Sequence, residues 1–256
     1  MISLKEKEMK PILVSCAMLM VTLLSANVAH AEAPQTGSGT GTALAEPLEP
    51  APQMPVFMFA LTGASNYIFR GVSQTENGPA VFGSGKVTYD KFYAAAGAEN
   101  VNFNNSINAE YDLSAGWTPS LDGFNFDVGA IRYGYVDAPT HVDIDTTELR
   151  GAVSHKLDDI KVGLAMNYAI DYFGTKKDGT YFEGNAAYKI IDGLTASGAV
   201  GRQMISAGKS FSTWNIGATY AFTKNISLDV RYLDTDSHSF GHLYNSHSVA
   251  SLKLAL

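Results

Sequence analysis

Cysteine is almost missing. The 256 residues hold one, Cys16, so no disulfide forms within the chain. Charge is sparse too, at 17% against the roughly 25% of an ordinary soluble domain. It sums to −7, and a nucleic-acid binder needs a basic face against phosphate, so no nucleic-acid partner is expected. Beyond residue 57 helical periodicity is nearly absent, and no repeat of solenoid length recurs. No G-x-S-x-G elbow is present, which removes one common route to a serine hydrolase. Disorder of the whole chain is excluded by the 46% hydrophobic content.

Glycine (24), tyrosine (13) and phenylalanine (13) are plentiful, a composition that favours β-structure. The N-terminus reads first as an address. Lys5, Lys7 and Lys10 precede an apolar run from Pro11 to Leu24, too short to span a bilayer as a helix, and Ala29-His30-Ala31 supplies a small-x-small cleavage site. Residues 1–31 are therefore a secretory signal peptide, and cleavage would remove Cys16. Residues 32–56, with Pro34, Pro47, Pro50, Pro52 and Pro55, form a Pro/Gly-rich disordered linker. Residues 57–256 remain as one domain.

That domain alternates. Asn108 to Trp117 and Lys161 to Tyr168 switch between polar and apolar at each step, as do 212–222 and 226–235. Twelve strands follow: 57–70, 79–89, 92–103, 107–117, 124–135, 146–157, 160–171, 180–190, 194–203, 212–222, 226–235 and 246–256. Most are around ten to twelve residues long, about twice the usual strand length and close to the nine to eleven that a tilted transmembrane strand needs. Tight connections at Asp90-Lys91, Asp158-Asp159, Asp192-Gly193 and 223–225, with a somewhat longer turn at 118–123, alternate with longer ones at 71–78, 136–145, 172–179, 204–211 and 236–245, Asn104-Asn105-Ser106 being a short exception. Short periplasmic turns opposite long outer loops are the habit of outer-membrane barrels. Phe57, Tyr89, Phe92, Trp117, Phe124 and Phe222 border the tight turns, while Tyr67, Phe69, Tyr172, Phe182, Trp214 and Tyr232 lie towards the loops, giving two aromatic belts. The fold class is all-β: a transmembrane antiparallel up-and-down barrel of about twelve strands. The competing arrangement, a soluble lipocalin-like barrel, would turn the apolar set inward.

The segment Asn66-Tyr67-Ile68-Phe69-Arg70-Gly71-Val72-Ser73-Gln74-Thr75, preceded by Leu61-Thr62-Gly63, resembles the opening signature of the TorF family of bacterial outer-membrane porins. Tyr67, Arg70, Gly71, Ser73, Gln74 and Thr75 carry that motif. The resemblance is tight over about ten residues and loose over the rest of the domain. It implies a signal peptide, an outer-membrane location, and contact with outer-membrane lipid, lipopolysaccharide and the barrel assembly machinery. Such barrels usually end in an aromatic residue, whereas this chain ends in Leu256.

With the apolar set on lipid, the other set faces the lumen. Its cations are Arg70, Lys86, Arg150, Lys156, Lys161, Lys189 and Arg231; its anions are Glu99, Glu110, Asp112, Asp127, Glu148, Asp171, Glu183 and Asp229. Of these, Arg70, Lys86, Glu99, Glu110, Asp112, Asp127, Arg150, Lys161, Asp229 and Arg231 are the expected pore-lining residues. Ions inside a narrow barrel must be hydrated or paired, so the lumen is either a charged water path or a salt-bridged plug. Arg70 either binds an anion as a bidentate donor or pins the first loop at a bend made by Gly71.

Neither a catalytic nor a metal site is expected, and no cofactor. Ser154 and His155 are adjacent in a strand and point to opposite faces. His238, His242 and His247 lack a ligand spacing, and Asp143 with Asp145 offers too few oxygens for calcium. The expected function is passive diffusion of small hydrophilic solutes or ions through a non-enzymatic barrel. The alternatives are a closed structural or adhesive barrel and, third, a lipid-modifying barrel enzyme.

Overall fold

The computed structural model describes residues 54–139, 143–206 and 208–256. The signal peptide and nearly all of the linker lie outside the described residues.

Twelve long strands form the wall: β1 Val56–Ala64, β2 Ala80–Tyr89, β3 Phe92–Asn100, β4 Ala109–Trp117, β5 Phe124–Val136, β6 Thr146–Leu157, β7 Ile160–Ala169, β8 Gly179–Ile191, β9 Leu194–Ile205, β10 Phe211–Ala221, β11 Ile226–Thr235 and β12 His247–Ala255. Each pairs antiparallel with its sequence neighbours. The last strand returns to the first, with Ala60 opposite Ala255 and Ala64 opposite Ser251, so the sheet closes. Closure matters because a bilayer offers no water to an unpaired strand edge.

Alternation decides the faces. Leu61, Val128, Leu149, Leu164, Val200, Ile216 and Val230 are more than half exposed on the outside, in an apolar band around the wall. At its lower rim stand Phe57, Tyr89, Phe92, Trp117, Phe124 and Phe222, all exposed. The upper rim carries Phe182, Trp214 and Tyr232. Arg132 and Arg202 point outward near the loop ends, where Asp145 and Asp236 pair with them at 2.9 and 3.3 Å. The lower connections are tight because Asp90, Asp122, Asp158, Gly123 and Gly193 take positive φ, which Asp and Gly tolerate best.

Two expectations fail at the start of the domain. The first strand stops at Ala64 rather than at 70, and residues 65–79 turn into the barrel. There Ile68–Phe69 pairs with Val72–Ser73 as a short hairpin. Its two tip residues, Arg70 (φ 46°) and Gly71 (φ 82°), are left-handed, the signature of a type I′ turn, and no strand runs through such a pair. Consequently Tyr67 and Phe69, expected in the outer belt, are inside the lumen at 2% exposure each, and Tyr172 joins them at 4%. With Phe82, Tyr133, Tyr135 and Phe173 they make an aromatic core that fills the loop-side half of the barrel along β2 to β7.

Candidate functional site

The hairpin crosses the lumen and wedges against the far wall. A Cβ on Gly71 would come within 2.5 Å of the Thr213 hydroxyl on β10 and 2.6 Å of the Thr235 methyl on β11. Arg70 beside it donates from Nη2 to Glu148 Oε2 at 2.6 Å, and from Nη1 to Glu148 Oε1 at 3.0 Å and Gln203 Oε1 at 2.7 Å. Its guanidinium lies between the rings of Phe69 and Tyr181, 4.4 and 4.3 Å from their centroids. One side chain thus joins the hairpin to β6, β8 and β9.

Most of the motif's other polar groups find partners nearby, although Gln74 Oε1 is buried without one. Ser73 Oγ donates to Asn66 Oδ1 at 2.8 Å, and the Asn77 amide donates to Ser73 Oγ at 2.9 Å. Thr75 Oγ1 donates to the Gly78 carbonyl at 2.6 Å and accepts from the Tyr67 amide at 3.2 Å. The Gln74 amide donates to the Tyr67 carbonyl at 2.7 Å, and its own carbonyl accepts from Asn102 at 2.8 Å. Buried backbone and hydroxyl groups need such partners, and here the loop supplies all of these but the Asn102 amide. The motif residues Tyr67, Arg70, Gly71, Ser73, Gln74 and Thr75 therefore build an internal obstruction.

Below and beside the hairpin the remaining expected lining residues fall into groups. On β5 and β6, Arg150 Nε donates to Asp127 at 3.0 Å and Tyr93 Oη donates to the same carboxylate at 3.1 Å. The Lys86 ammonium sits 4.3 Å from the Tyr93 ring centroid. On the opposite wall Arg231 donates to Asp229 at 3.1 and 3.2 Å, to Asn215 at 2.6 Å and to Ser197 at 2.8 Å. Beside the Arg231 group lies a cavity of about 290 Å³, lined by Arg70 and Tyr181 above and by Glu183, Asp229, Arg231 and Lys253 further down. Lys156 and Lys161 stand opposite each other at the lower mouth and are exposed. Glu99, Glu110 and Asp112 also point inward, but the aromatic core covers them, leaving 4%, 0% and 8% exposure.

Several expected neighbours are apart. Asp171 follows β7 in a loop, where the Lys176 ammonium at 2.9 Å holds its carboxyl below the usual range. Lys189 pairs with Asp192 at the lower turn. His238 bonds Asp234 at 2.6 Å, His242 bonds Glu76 at 3.1 Å and His247 meets the Leu243 carbonyl, so the three rings have separate partners. His155 stacks on Phe124 with centroids 4.5 Å apart, on the face away from Ser154. Gln203, Tyr181 and Tyr93 were not singled out from sequence. Their inward register was readable, but nothing in an uncharged side chain announces that Arg70 or Asp127 will need it.

Residues 52–254 match a family described as "Bacterial protein of unknown function (Gcw_chp)". The chain belongs to this family. No curated protein matches the sequence. Among solved structures, a KdgM porin is similar at a TM-score of 0.55 and 10% identity, over 78% of this chain and 98% of that one. The KdgM porin in complex with disordered oligogalacturonate gives 0.53 at 10% identity, over 78% and 96%. A NanC porin gives 0.53 at 13% identity, over 77% and 97%. At these identities the likeness is one of fold: this Gcw_chp member shares the closed twelve-strand architecture with those barrels.

Proposed function

We propose that this protein is an outer-membrane barrel through which small hydrophilic solutes or ions diffuse passively, narrowed by its own first loop. The observation that carries the reading is the cavity below the hairpin, with ions of both signs on its walls, inside a barrel whose outside is apolar. Ions placed so are tolerable when they are paired or reach water. The resemblance of the Tyr67–Thr75 segment to TorF porins supports the same reading. The outer face would meet membrane lipid and lipopolysaccharide, and the closing strand, ending in Leu256, would be presented to the barrel assembly machinery. Balanced wall charges give no reason to select a polyanion. The active-site geometry that an enzyme would need finds no support at Ser154 and His155.

The buried hairpin favours a second reading, a closed structural barrel. Planar-bilayer recording separates them. The wild type is expected to give small, steady, ohmic steps, and deletion of the hairpin tip (residues 68–73) is expected to enlarge them. A silent wild type whose tip deletion alone conducts would support the closed barrel. Silence from both would remove the pore.

A further inference from the structure

Three inward acids meet no cation, and they lie together. Glu99 on β3 stands directly opposite Glu110 on β4, and Asp112 follows two residues on, on the same face. Their carboxylate oxygens come within 4.8 Å of one another. Like charges placed directly opposite destabilise a strand pair, and enclosure removes the water that would screen them. None of the salt bridges among the described residues includes any of the three.

A further observation points to a ligand. Glu110 is wholly enclosed, and neither of its oxygens has a hydrogen-bond donor in bonding geometry; Glu99 Oε2 and Asp112 Oδ1 are equally bare. Orphaned buried acceptors of this kind are rare, and a carboxylate left so is costly. Two phenols close the site: Tyr67 Oη lies 3.5 Å from Glu99 Oε1, and the Tyr135 hydroxyl faces the Glu110 carboxylate as its one nearby donor.

We propose that Glu99, Glu110 and Asp112 bind one calcium-sized divalent cation beneath the hairpin. Calcium–oxygen distances of about 2.3–2.6 Å put ligands on opposite sides of the ion roughly 4.6–5.2 Å apart, which the observed spread fits. One oxygen of each carboxylate lies within that spread, and with their second oxygens the three carry six in all, the lower end of what calcium takes. The all-oxygen set selects a hard cation over zinc or copper. Bound there, the ion ties β3 to β4 and, through Tyr67, holds down the hairpin that obstructs the lumen. None of this depends on whether the barrel conducts.

The test uses the full barrel, folded in detergent at neutral pH and stripped with a chelator. Terbium is the probe, since Tyr67 and Tyr135 are placed to sensitise its luminescence. Expected are a saturable signal at one equivalent, its displacement by calcium, and a thermal midpoint that rises with millimolar calcium. Glu110→Gln should weaken calcium displacement by at least about tenfold. Should that variant not fold, Asp112→Asn serves instead, and the wild-type titration decides on its own. A wild type with no sensitised terbium and no calcium-dependent midpoint would overturn the proposal, leaving shared protons to neutralise the cluster. An undiminished signal in folded Glu110→Gln would overturn it as well, by placing the ion elsewhere. No readout involves current, so a failed pore and a failed cation site are told apart.

Discussion

Arg70 has left water almost completely, at 8% exposure, yet its fork meets Glu148 twice and Gln203 once, and its plane is covered by two rings. Such a pair adds little net stability when whole, because both ions have lost their hydration. Breaking it is another matter. Arg70→Ala leaves Glu148 at 1% exposure with no counter-ion, which should cost about 3–5 kcal/mol. Arg70→Lys keeps the charge but loses the bidentate fork and the stacking, so it should fall between the two. The check is the urea midpoint of the folded barrel in lipid. Arg70→Ala combined with Glu148→Ala should cost clearly less than the two single changes added together, since the second removes the orphaned charge left by the first. Additive costs would mean that Arg70 only packs. The neighbouring Gly71 leaves little slack: its φ of 82° and the closeness of Thr213 and Thr235 admit no side chain.

At the scale of one strand, β7 separates an outer from an inner face. Leu164 is 65% exposed on the outside, whereas Ala165 points into the lumen. Leu164→Arg should destabilise the barrel by roughly 2–4 kcal/mol in a bilayer, the cost of a lipid-facing cation near mid-depth. Ala165→Arg should be milder, and equal unfolding costs at the two positions would reverse the face assignment. This periodicity is why the wall was legible in the sequence: β6 spans Thr146–Leu157 and β11 spans Ile226–Thr235, as their alternation implies. The hairpin was not legible. Tyr67 and Phe69 keep the outward phase of β1 in the sequence although the strand stops at Ala64, and the tip of the hairpin that follows is a pair of left-handed residues, one of them an arginine that seldom takes that conformation. The same gap hid the acid cluster. Glu99, Glu110 and Asp112 could be placed on the inner face, but their enclosure follows from a loop folding inward, which no local pattern records.

On the whole molecule, the decisive quantity is where apolar surface goes. A soluble barrel would hide its large hydrophobics inside, yet here the interior holds ion pairs beside the aromatic core of the loop-side half, while Leu, Val, Ile and Trp side chains ring the exterior. Soluble monomers rarely expose contiguous apolar patches beyond a few hundred Å², and this one encircles the barrel. Water therefore cannot be the solvent of the outer wall, although every backbone edge is already paired and would tolerate hydrocarbon. The mature chain is accordingly expected in the outer-membrane fraction. Unheated, it should migrate faster on gels than after boiling, because the closed sheet stays compact in detergent. Its folded form should also precipitate once detergent is withdrawn without lipid. Recovery as a soluble periplasmic monomer, with identical mobility before and after heating, would show that the apolar ring is covered by something other than membrane.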